Sequence, residues 1–452
     1  MPAHSRPRRR SFAALTVALT LVAGCVQNPN SVFHSRTDFN RDVTSLFSLL
    51  IWLGTAVFIF TEVLLIYAIW KYRHRPGTPV QPEQVHGNTK LEIAWTIIPA
   101  VVLAVIAIPT VRTIFKTQAD APADALQVEV IGHQWWWEFR YPQYNVSTAN
   151  EVYLPLGRTV NFALKTQDVL HSFWIPALAG KRDMVNNRTN YLWFTPDSTT
   201  EDAFNGFCAE YCGLSHANMR FRAFTVTPEQ FASWVAHQAQ PASYGPAAVQ
   251  PGPPPPAIAG VAPRPVAPPG SQVNPTAPAR NQPTGVGGPT TPSTGLPSAP
   301  TGTATQVPGP VQAGFIGFPR ERMPAHTVPQ TPIPREVTFD TTLVGDAANG
   351  QRLVTAGTCV ACHVIRGVPH MTSHTGPDLT HVGSRLTIAG GLFPNDKRHM
   401  AAWIKNARAM KPGVLMTTLG IGQYDPILKS RLTVGLSDQQ VADIVAYLQT
   451  LK

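Results

Sequence analysis

Two stretches of this chain, residues 46–70 and 93–115, are apolar almost without interruption. Each is long enough to cross a hydrocarbon core of about 30 Å as a helix rising about 1.5 Å per residue. Lipid offers no hydrogen-bond partner to a peptide group, so a helix is the form such a run must take there. The segment 25–116 is therefore predicted to hold a two-helix transmembrane hairpin, the competing reading being buried helices of a soluble domain. The intervening loop, 71–91, carries Lys71, Arg73, Arg75 and Lys90 against Glu83 alone. That asymmetry places the loop in the cytoplasm and both ends of the hairpin outside. Glu62, deep in the first run, is costly in lipid and is expected to face protein.

Residues 1–24 combine an Arg-rich start, an apolar stretch from Phe12 to Ala23 and a small-residue cleavage site, the parts of a secretory signal. The ending Val22-Ala23-Gly24-Cys25 resembles a bacterial lipoprotein signal, which implies lipidation of Cys25 after cleavage; Arg9-Arg10 gives a weaker twin-arginine reading. Export of Cys25 demands the orientation that the loop charges give. A chain beginning at Cys25 carries 32 basic and 26 acidic residues. That excess is diffuse and forms no basic, aromatic-interleaved stripe, so no nucleic-acid partner is expected.

Residues 117–238 read as all-β. Leu126 to Ile131, Thr159 to Leu164 and Tyr191 to Phe194 alternate with strand period between Pro and Gly punctuation, as in a sandwich or barrel. Composition then changes: 25 of the 44 prolines fall between Pro241 and Pro334, and Arg264 and Arg280 are the only charges from 241 to 318. Residues 239–335 are expected to be a flexible linker. Residues 336–452 form a third unit with amphipathic helical patterns at both ends, the last opened by Ser437-Asp438.

The five cysteines account for themselves. Apart from Cys25, two lie in Cys208-Ala209-Glu210-Tyr211-Cys212-Gly213-Leu214-Ser215-His216-Ala217-Asn218-Met219. Two thiolates four apart, a His four further and a Met three beyond suit copper or a structural zinc more than a hard cation, and a reduced, unmetallated pair is the bland alternative. The other two lie in Cys359-Val360-Ala361-Cys362-His363. That string attaches haem c through two thioethers and leaves His363 as proximal ligand. A zinc half-site or redox dithiol fits less well, because no second Cys pair and no βαβ pattern surrounds it. Three methionines follow as candidates for the sixth ligand: Met400, Met410 and Met416.

Asp168-Val169-Leu170-His171-Ser172-Phe173-Trp174-Ile175-Pro176, taken with the cysteine loop, resembles the CuA domain of cytochrome c oxidase subunit II, a cupredoxin-like sandwich. The resemblance implies a binuclear copper bridged by Cys208 and Cys212, with His171 and His216 as terminal ligands, Met219 as a weak ligand and the Glu210 carbonyl completing the set. It also implies a magnesium ion held by the Glu210 carboxylate against subunit I. Gln134-Trp135-Trp136-Trp137 is similar to the family's aromatic patch and places Trp135 where electrons enter, with Trp136 and Trp137 equally readable as ordinary core. Glu92-Ile93-Ala94-Trp95 is similar to the start of the family's second membrane helix and puts Glu92 at the mouth of a proton path, although a boundary carboxylate also commonly just snorkels. Asn186-Asn187-Arg188 stands where the family carries Pro-Gly-Arg.

The third unit resembles an all-α class I cytochrome c. Met410-Lys411-Pro412-Gly413-Val414-Leu415-Met416 is similar to the Pro-x-x-x-Met loop, with Met416 as axial ligand, and Gly376-Pro377-Asp378-Leu379 to the segment whose Pro carbonyl holds the proximal His proton. Together these features imply subunit II of a caa3-type oxidase in a prokaryotic plasma membrane. Its soluble domains would lie on the outer face, subunit I and subunit III would be its partners, and an upstream reductase or soluble cytochrome c its donor. A CuA-containing nitric oxide reductase subunit and a membrane copper-delivery protein are the rivals. With 8 basic and 12 acidic residues in 117–240 against 11 and 8 in 336–452, the two soluble domains are expected to attract weakly and to rely on the tether.

Overall fold

The computed structural model describes residues 30–73, 77, 86–197, 199, 201–242 and 314–452. Cys25, the segment expected as a signal, most of the 71–91 loop and residues 243–313 of the expected linker lie outside the described residues. Helices α1 (Asp38–Lys71) and α2 (Thr89–Gln118) are both long and apolar enough to cross a membrane. Their apolar side chains point outward, Trp52 being 74% and Phe115 75% exposed, as expected of surfaces meant for lipid or a partner subunit. The hairpin is rooted in the β-domain at the start of α1 and the end of α2. Thr37 caps α1 and hydrogen-bonds Leu178 O, Asn40 Nδ2 donates to Pro176 O and Ala177 O, and Lys116 pairs with Asp42 across the two helices.

Ten strands follow: β1 (Leu126–His133), β2 (Trp136–Tyr141), β3 (Val146–Ala149), β4 (Glu151–Pro155), β5 (Val160–Thr166), β6 (His171–Trp174), β7 (Arg182–Met184), β8 (Asn190–Phe194), β9 (Asp202–Cys208) and β10 (Arg220–Val226). They form two five-stranded sheets in the orders β3-β2-β1-β5-β8 and β4-β10-β9-β6-β7. Between them lie Trp137, Phe139, Phe162, Phe173 and Phe221, all fully buried. Such interdigitating aromatic faces are what hold two sheets together. One element departs from the all-β expectation. Helix α3 (Pro228–Ala239) closes the domain, started by a capping box between Thr227 and Gln230, with Phe231, Trp234 and Val235 buried. Thr-x-x-Gln followed by apolar residues three and four apart is a helix signal legible in the sequence.

Residues 314–335, expected as linker, are seated on the protein. Phe318 stacks on Phe224 at 5.1 Å, its N–H donates to Tyr153 Oη, Asn205 Nδ2 donates to His326 O and Arg222 Nε to Thr327 O. Pro319 and Pro324 precede two 3-10 turns, Arg320–Arg322 and Ala325–Thr327, and the strap is seated because side chains such as Phe315 and Phe318 do have apolar surface to bury.

The last unit has the two expected helices, α4 (Ala347–Ala356) and α6 (Asp438–Thr450), with α5 (Lys397–Met410) between them in the chain, together with two minimal hairpins, β11 (Thr387–Ile388) with β12 (Phe393–Pro394) and β13 (Tyr424–Asp425) with β14 (Ser430–Arg431). Helices α4 and α6 touch backbone to backbone, since a Cβ placed on Gly350 would lie 1.9 Å from Asp443 O.

This unit does not hang by charge beside the β-domain; it is bonded to it through buried groups. Glu151 and Arg222, register partners on β4 and β10, reach across together. Glu151 Oε1 accepts from Leu386 N–H at 2.8 Å, Thr387 N–H at 2.9 Å and Thr387 Oγ1 at 3.1 Å, and Arg222 donates to Gly391 O at 3.1 Å. At the C-terminus of α3, Arg366 donates to the carbonyls of Gln238 and Ala239, and His381 Nε2 lies 3.1 Å from Gln240 O. Most of these partners are neutral carbonyls and amides, which a count of charges cannot reveal.

Candidate metal centres

The thiolate loop is built by the end of β9, a turn through Gly213 and a short 3-10 turn at His216–Asn218. Its donors meet those of β6. Cys208 Sγ and Cys212 Sγ are 3.7 Å apart. His171 Nδ1 is 3.8 Å from Cys208 Sγ, His216 Nδ1 is 3.6 Å and Met219 Sδ 3.8 Å from Cys212 Sγ, and Glu210 O is 3.2 Å from Cys208 Sγ. The donors thus gather around the two sulfurs, His171 Nδ1 and Glu210 O beside Cys208 and His216 Nδ1 and Met219 Sδ beside Cys212, with His171, Cys208, Cys212 and Met219 buried. Soft sulfur with imidazole is the donor chemistry that fits copper.

The surroundings fix each ligand. His171 Nε2 donates to Asp168 Oδ1 at 2.8 Å, which turns Nδ1 toward Cys208 Sγ and sets the ring's orientation, the usual carboxylate support of a metal-binding His. Gly132 on β1 makes room for the ring, as a Cβ there would lie 2.7 Å from His171 Cδ2. Asp168 also accepts from Gln134 N–H at 2.6 Å. Gln134 Nε2 and Trp135 Nε1 both donate to Cys212 O, at 2.8 and 3.0 Å. Burial disfavours the charged form of His171, but Asp168 and Cys208 outweigh it and push its pKa up. Cys212 hydrogen-bonds Cys208 and, with His171, holds that thiol well down, so the pair presents a thiolate, the form that binds metal.

In the helical unit, Cys359 and Cys362 lie one 3-10 turn apart and His363 follows directly. His363 Nδ1 is 2.8 Å from Pro377 O, and a Cβ on Gly376 would strike the ring at 2.7 Å. Burial lowers the His363 pKa, which keeps the imidazole neutral with Nε2 presented for ligation. These residues fit a covalently held haem. Met416 is half-buried and packs against the cores of both soluble domains, whereas Met410 is buried within the core of the helical unit.

The aromatic run divides by depth. Trp137 is sealed in the core, Trp136 stacks on His133 at 4.1 Å, and Trp135 is only 8% exposed. Glu92 Oε1 accepts from Asn88 N–H, a contact that caps α2. The Glu210 side chain is half-buried beside the cysteine loop. The sequence reading missed Ser215 and Lys411, which join the two soluble domains: Ser215 Oγ donates to Pro412 O and Lys411 Nζ to Trp135 O. Neither carries a local signal, since their partners are 197 and 276 residues away.

A membrane hairpin carrying a sandwich with a thiolate-rich donor set, joined to a cytochrome fold, defines a membrane-bound electron-transfer protein. The families described as cytochrome c oxidase subunit II, transmembrane domain, and cytochrome c oxidase subunit II, periplasmic domain, match residues 33–113 and 145–225, and cytochrome c matches 347–452. Cytochrome c oxidase subunit 2 of Alkalihalophilus pseudofirmus is 27% identical over 90% of this chain and 86% of its own length. That of Bacillus sp. is 41% identical over 36% of this chain and 49% of itself, so the match spans about half of that relative. The counterpart from Cereibacter sphaeroides is 31% identical over 42% of this chain and 73% of its own length. Among solved structures, the periplasmic domain of subunit II of cytochrome oxidase of Bradyrhizobium japonicum matches at 28% identity and a TM-score of 0.25, over 26% of this chain and 96% of that one. The chain belongs to the cytochrome c oxidase subunit II family, with a cytochrome c domain fused to its C-terminus.

Proposed function

We propose that this chain is subunit II of a caa3-type cytochrome c oxidase, passing electrons from a covalent haem c to a binuclear CuA centre and on to an oxygen-reducing haem-copper site in subunit I, coupled to proton translocation. When bound, the haem and the copper pair each supply one-electron chemistry. The observation that carries this reading is the convergence of all six donors of His171, Cys208, Glu210, Cys212, His216 and Met219.

The protein's own residues hold that geometry fixed. Asp168 keeps the His171 proton on Nε2, and Gln134 and Trp135 tie the loop through Cys212 O. Pro377 O does for His363 what Asp168 does for His171. Ligands locked by outer hydrogen bonds move little when charge changes, which is what rapid electron exchange needs. On this reading Cys359 and Cys362 carry the haem thioethers, Met416 is the sixth ligand and Trp135 conducts between the two sites. The Glu210 carboxylate meets a magnesium ion at subunit I, Glu92 stands at the proton-path mouth, and Cys25 is lipidated. The soluble domains then lie outside a prokaryotic plasma membrane.

The test is to purify the complex through this chain and measure gas consumption and spectra. A co-purifying haem-copper subunit with oxygen uptake is expected. Nitric oxide turnover without oxygen uptake would assign it to the rival reductase, and a chain that isolates alone with labile copper would overturn the reading in favour of a copper-delivery protein.

A further inference from the structure

The C-terminal end of α5 meets the copper domain in three consecutive residues. Lys411 caps the helix, its N–H bonded to Ala407 O at 2.8 Å, and its side chain turns into the interface with 1% exposure. Its Nζ donates to Trp135 O at 2.6 Å and to Ala389 O at 3.1 Å. Among the described residues no carboxylate lies within ion-pair reach of it. Next, Pro412 O accepts from Ser215 Oγ. Then Gly413, at φ +87°, lies flat on the indole, where a Cβ would sit 2.7 Å from Trp135 Cη2 and Cζ3. The other edge of the same indole is the one bonded to Cys212 O.

A buried lysine head with only carbonyl partners, its pKa pushed down to about 7 by burial, is an expensive way to hold two surfaces together. An apolar side chain of similar length would fill the space at lower cost, by the same logic that makes buried ion pairs poor stabilisers. What the lysine head adds is register. Two hydrogen bonds to carbonyls of different domains allow one seating, whereas an apolar contact tolerates sliding. We infer that Lys411 is a positioning residue that sets the cytochrome domain in one register on Trp135. The inference rests on the proposed function, in which Trp135 lies between the two redox centres. It adds that their coupling depends on a side chain belonging to neither ligand set. It also makes Trp135 internal to the chain, covered by residues 411–413.

The test uses the full chain in its complex, loaded with copper and haem, and the variant Lys411→Met, which keeps the stem and removes the ammonium. Haem absorption and the copper paramagnetic signal should match the unmodified protein. Amides of 133–137 and 387–391 should exchange with deuterium about 10- to 100-fold faster, the factor expected on losing charge-assisted hydrogen bonds, while α4 and α6 exchange as before. Photochemically started transfer of one electron, oxidising the haem iron and reducing the copper pair with no proton exchanged, should slow in parallel. Unchanged exchange and transfer with intact spectra would refute the positioning role, and so would an equal rise in exchange throughout the cytochrome domain. Should the variant fail to assemble, a protease site engineered within 243–313 serves instead. The cut halves should stay together with 133–137 and 387–391 still protected, and their separation on gel filtration would refute a fixed register. Missing copper or haem signals in the unmodified protein would refute the proposed function itself, a different result from either.

Discussion

Glu151 offers the sharpest quantitative test of how the two soluble domains are joined. It is 2% exposed, and one oxygen, Oε1, takes all three hydrogen bonds from Leu386 and Thr387. Truncation to Ala leaves two backbone N–H groups without an acceptor in a closed interface, at about 1 to 3 kcal/mol each. Relief of the desolvation that the carboxylate suffers offsets part of this, so the net cost of Glu151→Ala is about 3 kcal/mol, or roughly a hundredfold in the docking equilibrium. Glu151→Gln keeps an oxygen at the same place and should cost under about 1 kcal/mol. Deuterium exchange at 386–391 reads the difference without requiring either domain to unfold. Burial pushes the Glu151 carboxyl above its usual 4.5, against the pull of the Thr387 amide, Arg385 and the Leu386 amide. The folded chain therefore binds a proton at Glu151 more readily than the unfolded one. Its stability should rise as pH falls through the raised pKa toward 4.5 and decline above it, a dependence absent from Glu151→Gln. If Gln is as damaging as Ala, or Ala leaves exchange at 386–391 unchanged, the interface is not held by this acceptor.

Three further outcomes are expected. Copper reconstituted into the protein should give a paramagnetic spectrum with the multi-line splitting of two equivalent nuclei, lost in Cys208→Ser; a four-line pattern in the unmodified protein would show a single copper. Met416→Leu should abolish the near-infrared sulfur-to-iron band while leaving the haem covalently attached, whereas Met410→Leu should not, and the reverse result would reassign the sixth ligand. Gly350→Ala places a methyl 1.9 Å from Asp443 O and 2.9 Å from Tyr447 Cβ, forcing α4 off α6. Thermal unfolding followed at the haem should show the cytochrome domain losing about 1 to 3 kcal/mol or more, and an unshifted melting curve would mean that the helices part freely.

What could be read from the residues alone is what local chemistry dictates. The apolar runs become helices in any fold that keeps them from water, because their own backbone must satisfy itself in lipid. Cys208, Cys212, His216 and Met219 lie within twelve residues, so their spacing already confines them to one loop, and Cys359-x-x-Cys362-His363 is a self-contained unit. His171 needed the resemblance, because it lies 37 residues from Cys208 and only the pairing of β6 with β9 brings them together. The strap at 314–335 shows where composition misleads: proline richness predicts chain without a core of its own, yet says nothing about a surface elsewhere ready to receive Phe315 and Phe318. The joining of the two soluble domains was decided by tertiary structure alone. Glu151 meets Leu386 across 235 residues and Lys411 meets Trp135 across 276. The groups they bond are backbone amides and carbonyls, which every residue possesses and no sequence pattern marks, so only folding both domains reveals which of them face each other.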